Sequence, residues 1–356
     1  MKRTHAWRGD TVREGYVVAV VGATGAVGRQ AVALLEARNF PVRELRLAAS
    51  PRSAGKRVDG HPVVALSEEV FEGCDIAIFD VPDPVAREWA PKAASRGAVV
   101  IDNSATFRLE PDVPLVIPEI NGPRVLDRPR GIVANPNCTT ATFLLPLAPL
   151  HRRWGLRRVV ACSYQSVSGA GQAGVEQLWR ELRAAAERGE PLEESLGSAF
   201  SHPILFNLIP AIGSLRDRGH TSEEVKAQQE SRKILEHPTL EVGITCVRVP
   251  TLVGHGVAVH ATFERPPDLE EVREVLRAAP GVEVVDDPAS GEYPTPLRAA
   301  GRDPAYVGRI RFDGAGNLAF FVVADNLRKG AALNAVQIAE TLVALQPDLR
   351  AAPARA

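Results

Sequence analysis

The sequence predicts an α/β fold in two domains, on three observations. Its 356 residues exceed one ordinary domain. From Tyr16 onward, β-branched strands alternate with helices, which predicts a parallel, doubly wound sheet. After Cys138 the pattern changes to longer strands of period two. The first domain is expected at residues 16–138, completed by a C-terminal helix at 326–347, and the second at 139–325. Residues 1–15, polar and mixed in charge, read as a mobile extension and not as a signal peptide.

Composition narrows the function classes. The chain is 45% hydrophobic and 24% charged, an ordinary soluble balance. A net charge of −1 and 5% aromatics give no global field or stacking array for nucleic acid, and no apolar run spans a membrane. Cys74, Cys138, Cys162 and Cys246 lie far apart without a Cys-x-x-Cys pair, so neither a metal site nor a disulfide framework is expected. The expected compartment is a reduced cytoplasm.

Tyr16–Val21 reads as a buried strand. It enters Gly22-Ala23-Thr24-Gly25-Ala26-Val27-Gly28 and then a helix to about Arg38, the setting in which a phosphate rests on a helix N-terminus. A second strand, Leu45–Ala49, ends in Ser50-Pro51-Arg52-Ser53. An acid placed there would hold a ribose 2′-hydroxyl, whereas an arginine suits a 2′-phosphate, so Arg52 favours NADP over NAD. The rival reading is an ordinary basic loop, Arg52–Arg57, facing solvent.

Strands follow at Ile76–Asp80, Ala98–Asp102 and Ile132–Ala134, with a helix at about Pro84–Arg96. Asp102–Arg108 leaves a strand's carboxyl end, where such sheets bind ligands. Arg108 could take a phosphate there in bidentate fashion, or close a loop salt bridge.

Asn135-Pro136-Asn137-Cys138-Thr139-Thr140 is the stretch richest in chemistry. Pro136 biases Asn135 away from helical dihedrals, so the chain turns and Cys138 falls at the start of the next helix. Unpaired N–H groups and the dipole at that end favour a thiolate. The N–H of Cys138 and the amide of Asn137 could face an oxyanion. Pro146 is expected to break or kink this helix after about two turns.

In the second half, Arg157–Gln165 reads as a strand with Ser163 and Gln165 on one face. Gly169-Ala170-Gly171 turns it into a helix. Thr221–Leu235 opens with a capping-box spacing, Thr221 to Glu224, and puts Glu223 and Lys226 on one helical face, which alone reads as a solvated ion pair. Ile244–Pro250 and Val257–Glu264 are strands joined by a loop that carries His255, with Cys246 and Arg248 on one strand face. Tyr306–Phe312 and Leu318–Ala324 form a hairpin, and Lys329–Leu345 is a closing helix.

Taken together, Gly22–Gly28, Arg52–Gly55, Ile101–Arg108, Pro118–Asn121, Asn135–Thr139, Tyr164–Gly171, Cys246–Pro250 with His255, and Pro294–Leu297 resemble aspartate-semialdehyde dehydrogenases. The resemblance runs from about residue 17 to 345. It implies a Rossmann-type NADP-binding domain followed by an α+β catalytic and dimerisation domain of the glyceraldehyde-3-phosphate dehydrogenase-like type. It also implies a homodimer built through the second domain, or a tetramer. The family reduces L-aspartyl 4-phosphate to L-aspartate 4-semialdehyde with NADPH and releases phosphate, a step toward lysine, threonine, methionine and diaminopimelate. By resemblance, Cys138 is the nucleophile and His255 the acid/base. Gln165, Glu223 and Arg248 hold the substrate beside Asn137, and Arg108 and Lys226 hold its phosphate. Gly22, Thr24, Gly25, Ala26, Val27, Arg52, Ser53, Ser168, Gly169 and Asn326 contact NADP. The chemistry is coherent. A thiolate displaces phosphate from an acyl phosphate, the thioester accepts hydride, and a histidine assists collapse to the aldehyde.

Two departures stand out. Where the family has Ser-Ala-Gly-Gly after the strand Ile76–Phe79, this chain has Asp80-Val81-Pro82-Asp83-Pro84, and Gly256 replaces a serine after His255. Pro82 and Pro84 lack an N–H, and Asp80 and Asp83 bring negative charge, so weaker cofactor binding is expected if the loop lies against the cofactor; the rival reading is that the loop swings away, with Pro84 starting the next helix. Two alternatives remain: an N-acetyl-γ-glutamyl-phosphate reductase, whose Asn-Pro-Gly-Cys-Tyr motif Asn137-Cys138-Thr139 does not fit, and a fold-retaining paralogue with little turnover.

Overall fold

The computed structural model describes residues 15–349, so the extension expected at 1–15 lies, but for Gly15, outside the described residues. Two compact units divide the chain, one running to Asn135 and resuming at Asn334, the other covering Pro136–Leu333.

The first unit is built on β1 (Tyr16–Val21), whose six residues are all buried. A glycine turn carries β1 into α1 (Ala26–Ala37). There follow β2 (Val42–Ala49), a short hairpin of β3 (Arg57–Val58) and β4 (His61–Ala65), β5 (Ile76–Phe79), α2 (Asp83–Ser95), β6 (Val99–Asp102), the single turn α3 (Pro118–Asn121) and β7 (Ile132–Ala134). The sheet order is β3-β4-β2-β1-β5-β6-β7, parallel throughout except for β3 against β4. Strand order therefore reverses beside β1, and the crevice outside the carboxyl ends of β1 and β5 is where such sheets bind ligands. Gly22, Ser50–Ser53, Asp80 and Asn103 all leave the sheet along that edge. The β3–β4 hairpin was not expected, because Arg52–Arg57 reads as plain loop.

The second unit starts with α4 (Cys138–Trp154). Then come β8 (Leu156–Gln165), α5 (Gly171–Arg188), α6 (Ser222–Ile234), β9 (Glu241–Arg248), β10 (His255–Phe263), α7 (Leu269–Ala278), β11 (Val282–Val284), the turn α8 (Pro296–Ala299), β12 (Ala305–Phe312) and β13 (Leu318–Ala324). They form a mixed six-stranded sheet, β11-β12-β13-β10-β8-β9. A wide helical turn, Arg328–Ala332, leads into α9 (Leu333–Leu345), which begins later than Lys329. Within the first unit α9 is anchored by Asn334, whose Nδ2 donates to Val116 O at 2.9 Å and Asn135 Oδ1 at 2.6 Å.

Two expectations need correction. Pro146 does not end α4, which continues through Pro146 and Pro149 to Trp154. Each interior proline costs about 3 kcal/mol. The helix is the core of its unit, however, touching α6, α7, β8, β10, β12 and β13. Phe143, Leu144, Leu145, Leu147 and Leu150 are buried on it, each contributing roughly 1.5–3 kcal/mol. Burial thus outweighs the lost backbone bonds. His255 is not in a loop: it is the first residue of β10, paired opposite Ala324.

Candidate active site

Asn137 caps α4. Its Oδ1 accepts the N–H of Thr139 at 2.9 Å and of Thr140 at 3.2 Å, a cap of about 1 kcal/mol. Cys138 is therefore the first helical residue, at the positive end of the dipole, and it is only partly buried. One amide hydrogen of Asn137 is already engaged, because Nδ2 donates to Glu223 Oε1 at 2.8 Å. The Asn137 N–H donates to Glu230 Oε2 at 2.7 Å, and Glu230 is fully buried.

Glu223 is a junction. Besides Asn137 it receives Gln165 Nε2 at 3.5 Å, and its Oε2 lies 3.7 Å from Lys226 Nζ. Glu223 is 7% exposed, so the Glu223–Lys226 pair is not the solvated surface pair its spacing suggests. The capping box forms as its spacing implies, with Thr221 N–H donating to Glu224 Oε2 at 2.8 Å. Arg248 is buried, donates from Nη1 to Ser166 O at 2.7 Å, and feels the charges of Cys138 and Glu223.

His255 is fully buried. Its Nδ1 accepts the Ser166 N–H at 3.2 Å, and Ser166 Oγ stands 3.1 Å from the same nitrogen. With that lone pair engaged, the neutral ring carries its proton on Nε2. Nε2 is buried with no hydrogen-bond partner among the described residues. Burial, with the Arg248 charge added, pushes the ring well below the ordinary histidine range. Gly169 permits this crowding: a Cβ there would lie 2.7 Å from Arg248 Nη1 and 3.2 Å from His255 Nε2. Asn326 ties the same loop together. Its Oδ1 accepts from Ser166 Oγ at 3.0 Å and Gly254 N at 2.9 Å, and its Nδ2 donates to Ser168 Oγ at 3.0 Å. Asn326 and Ser168, expected as cofactor contacts, in the structure brace Ser166 beside the histidine.

Sequence reasoning missed Ser166, Glu230 and Gly330. Gly330 stands so close to the cysteine that a Cβ on it would be 2.7 Å from Cys138 Cβ. The signal available for it was only a glycine at the start of a predicted helix.

In the first unit, Gly22 has φ 89°, and a Cβ on it would lie 1.9 Å from Asp80 O, so only glycine fits. Gly25 and Ala26 are exposed, and no cap side chain covers the start of α1. Thr24 Oγ1 donates to Ser53 Oγ at 3.4 Å, bringing the glycine loop and the turn after β2 together. Arg52 is exposed on that turn, next to Ser53. A helix start without an N-cap side chain, beside a cation, fits the phosphates of a dinucleotide. Arg108 is buried and committed to main chain, donating to Asn135 O at 2.8 Å and Asn103 O at 2.7 Å. Asp83 Oδ1 accepts the Ala105 N–H at 3.0 Å and so orders the Asp102–Arg108 loop.

Two family models match the chain: "Semialdehyde dehydrogenase, NAD binding domain" over residues 17–127 and "Semialdehyde dehydrogenase, dimerisation domain" over residues 147–329. The aspartate-semialdehyde dehydrogenase of Streptomyces akiyoshiensis is 49% identical over 338 residues, spanning 92% of this chain and 98% of that one. The chain belongs to the aspartate-semialdehyde dehydrogenase family. The Aquifex aeolicus member is 48% identical over 337 residues, again covering 92% of this chain and 98% of its own. Among solved structures, aspartate-semialdehyde dehydrogenase II of Vibrio cholerae in complex with ASA superposes with a TM-score of 0.87 at 42% identity, over 93% of this chain and 99% of that one. The Candida albicans aspartate-semialdehyde dehydrogenase with NADP gives 0.71 at 25% identity, over 92% of this chain and 98% of that one. The relatives named here carry the name of this family and not of the N-acetyl-γ-glutamyl-phosphate reductases. Membership brings a domain that binds a nicotinamide cofactor. Among the described residues, no helix is long and apolar enough to cross a membrane.

Proposed function

We propose that this chain catalyses the NADP-dependent reductive dephosphorylation of L-aspartyl 4-phosphate to L-aspartate 4-semialdehyde. The reading is carried by Cys138 at the capped start of α4, in a unit that also holds buried Glu223, Arg248 and His255. Cys138 attacks the acyl carbon, so a C–S bond forms as the C–O bond to phosphate breaks. His255, protonated on Nε2, donates to the oxygen that gains charge. Arg248 takes the substrate α-carboxylate, and Glu223 and Gln165 hold the amino-acid end. Lys226 and Arg108 attract the phosphate by their positive charge.

Gly22, Thr24, Gly25, Ala26 and Val27 hold the cofactor phosphates, while Arg52 with Ser53 reads the 2′-phosphate and selects NADP. Ser168, Gly169 and Asn326 are further contacts of the cofactor in this reading. When bound, the cofactor supplies the hydride. The protein works as a homodimer in the cytoplasm, on the path to lysine, threonine, methionine and diaminopimelate. Exposed Val160 and Tyr164 on β8, within the matched dimerisation region, support self-association.

The test is phosphate-dependent reduction of NADP with L-aspartate semialdehyde, run beside N-acetylglutamate semialdehyde. Turnover of the first and not the second is expected. Turnover of the second alone, or of neither, overturns the reading.

A further inference from the structure

We propose that Asp80 is a built-in competitor for the cofactor cradle, so that a nicotinamide dinucleotide binds with uptake of a proton by the Asp80 carboxylate. The inference rests on the nicotinamide reading of the first unit.

Asp80 follows β5, and its backbone is locked to β1 through Asp80 N–H to Val21 O at 2.8 Å. Its side chain reaches back over the glycine loop. Oδ2 would lie 3.4 Å from a Cβ on Gly25, and the Gly28 N–H, in the first turn of α1, favours the ionised carboxylate. The anion-attracting end of α1 is therefore already facing an anion of the protein itself. The phosphates of a dinucleotide seek the same N–H groups, and two negative charges cannot share them cheaply.

The other groups around Asp80 do not neutralise it. From β6, Asp102 adds negative charge, and the Asn103 amide beside it favours the carboxylate without carrying a charge. From α2, Asp83 is turned to the Ala105 N–H. Arg108 acts on Asp102 and is held by two carbonyls, and Arg29 of α1 donates to Thr24 O at 3.3 Å. Although the residue keeps some exposure, burial pushes the carboxyl up to about 6.

The sign follows. Above about pH 6 the free protein holds Asp80 as carboxylate, and an arriving polyanion raises its proton affinity further. Binding then takes up a proton, so affinity falls as pH rises, by up to about tenfold per unit, until the pH passes the bound-state value. NAD has no group titrating in this window. The 2′-phosphate of NADP titrates near 6 with the opposite sign, but equally in every variant.

The test is calorimetric titration of the whole protein with NAD and with NADP from about pH 5.5 to about pH 8.5, in buffers of low and high ionisation enthalpy. Wild type should bind NAD more weakly as pH rises, with a heat that changes with buffer. Asp80→Asn and Asp80→Ser, checked for an unchanged melting profile, should bind about tenfold tighter at pH 8, with no buffer-dependent heat for NAD. Identical pH profiles in wild type and both variants, or weaker binding by both variants at pH 8, overturn the proposal while leaving the nicotinamide reading in place. No binding of either dinucleotide by any of the three proteins overturns both.

Discussion

Gly330 leaves Cys138 its position. A Cβ on the glycine would approach Cys138 Cα to 3.2 Å and Cys138 Cβ to 2.7 Å, the second a distance that packed side chains do not tolerate. The wide turn Arg328–Ala332 can lie against the first turn of α4 only because residue 330 has no side chain. Gly330→Ala should push the thiol out of line. Displacements of about 1 Å at a reacting atom cost roughly a hundredfold in rate. The expected outcome is a fall of about that size in kcat, with slower alkylation of Cys138 at the same pH. Unchanged kinetics in a folded Gly330→Ala variant would show that the turn yields instead.

Cys138→Ala should lower phosphate-dependent turnover by about a thousandfold or more while the melting temperature holds. Cys74 and Cys246 are buried, and burial pushes their thiols up to about 11 and about 12, so neither is a ready substitute. Mass spectrometry of the acylated protein decides the matter. A label on Cys162 or Cys246, with activity retained in Cys138→Ala, would sink the assignment.

Arg52→Ala should separate the two cofactors. Its guanidinium is exposed beside Ser53, within reach of the glycine loop through the Thr24–Ser53 contact. A hydrogen bond to a charged group contributes about 1.5–3 kcal/mol, so NADP affinity should drop roughly tenfold to a hundredfold while NAD affinity stays level. Equal loss for both would mean that Arg52 does not read the 2′-phosphate.

What could be read in advance was local. The β-branched run Tyr16–Val21 against Gly22 and Gly25 marks a buried strand and its turn within a dozen residues. The Thr221–Glu224 capping box closes within three residues of chain and forms as its spacing implies. What could not be read depended on partners far away. Glu230 meets the Asn137 N–H across 93 residues, and Ser166 meets His255 across 89. The persistence of α4 through two prolines reflects burial by strands and helices that follow it, which no window around Pro146 contains. Asp80 was legible as a departure, but its reach to the first turn of α1 was not.

The same carboxyl predicts how stability varies with pH. Unfolded, Asp80 titrates at an ordinary value near 3.8, whereas in the fold burial raises it to about 6. Between those values the native state binds more protons than the unfolded state, so Asp80 makes the protein less stable as pH rises through that window, and the penalty persists above it. A gap of about two units corresponds to a penalty on the order of 2 kcal/mol at neutral pH, once partial exposure is allowed for. Asp80→Asn keeps an oxygen for the Gly28 N–H and removes the charge. Its denaturation midpoint should exceed that of wild type at pH 8, and the gap should close as pH falls below about 4. His255 contributes in the opposite sense. Buried neutral in the fold, it lowers stability as pH falls below about 6.5, where the unfolded ring protonates, but it does so equally in both proteins. Chemical denaturation of wild type and Asp80→Asn at matched pH therefore isolates the aspartate. A wild type as stable as the variant at pH 8 would mean that Asp80 pays no penalty for its burial.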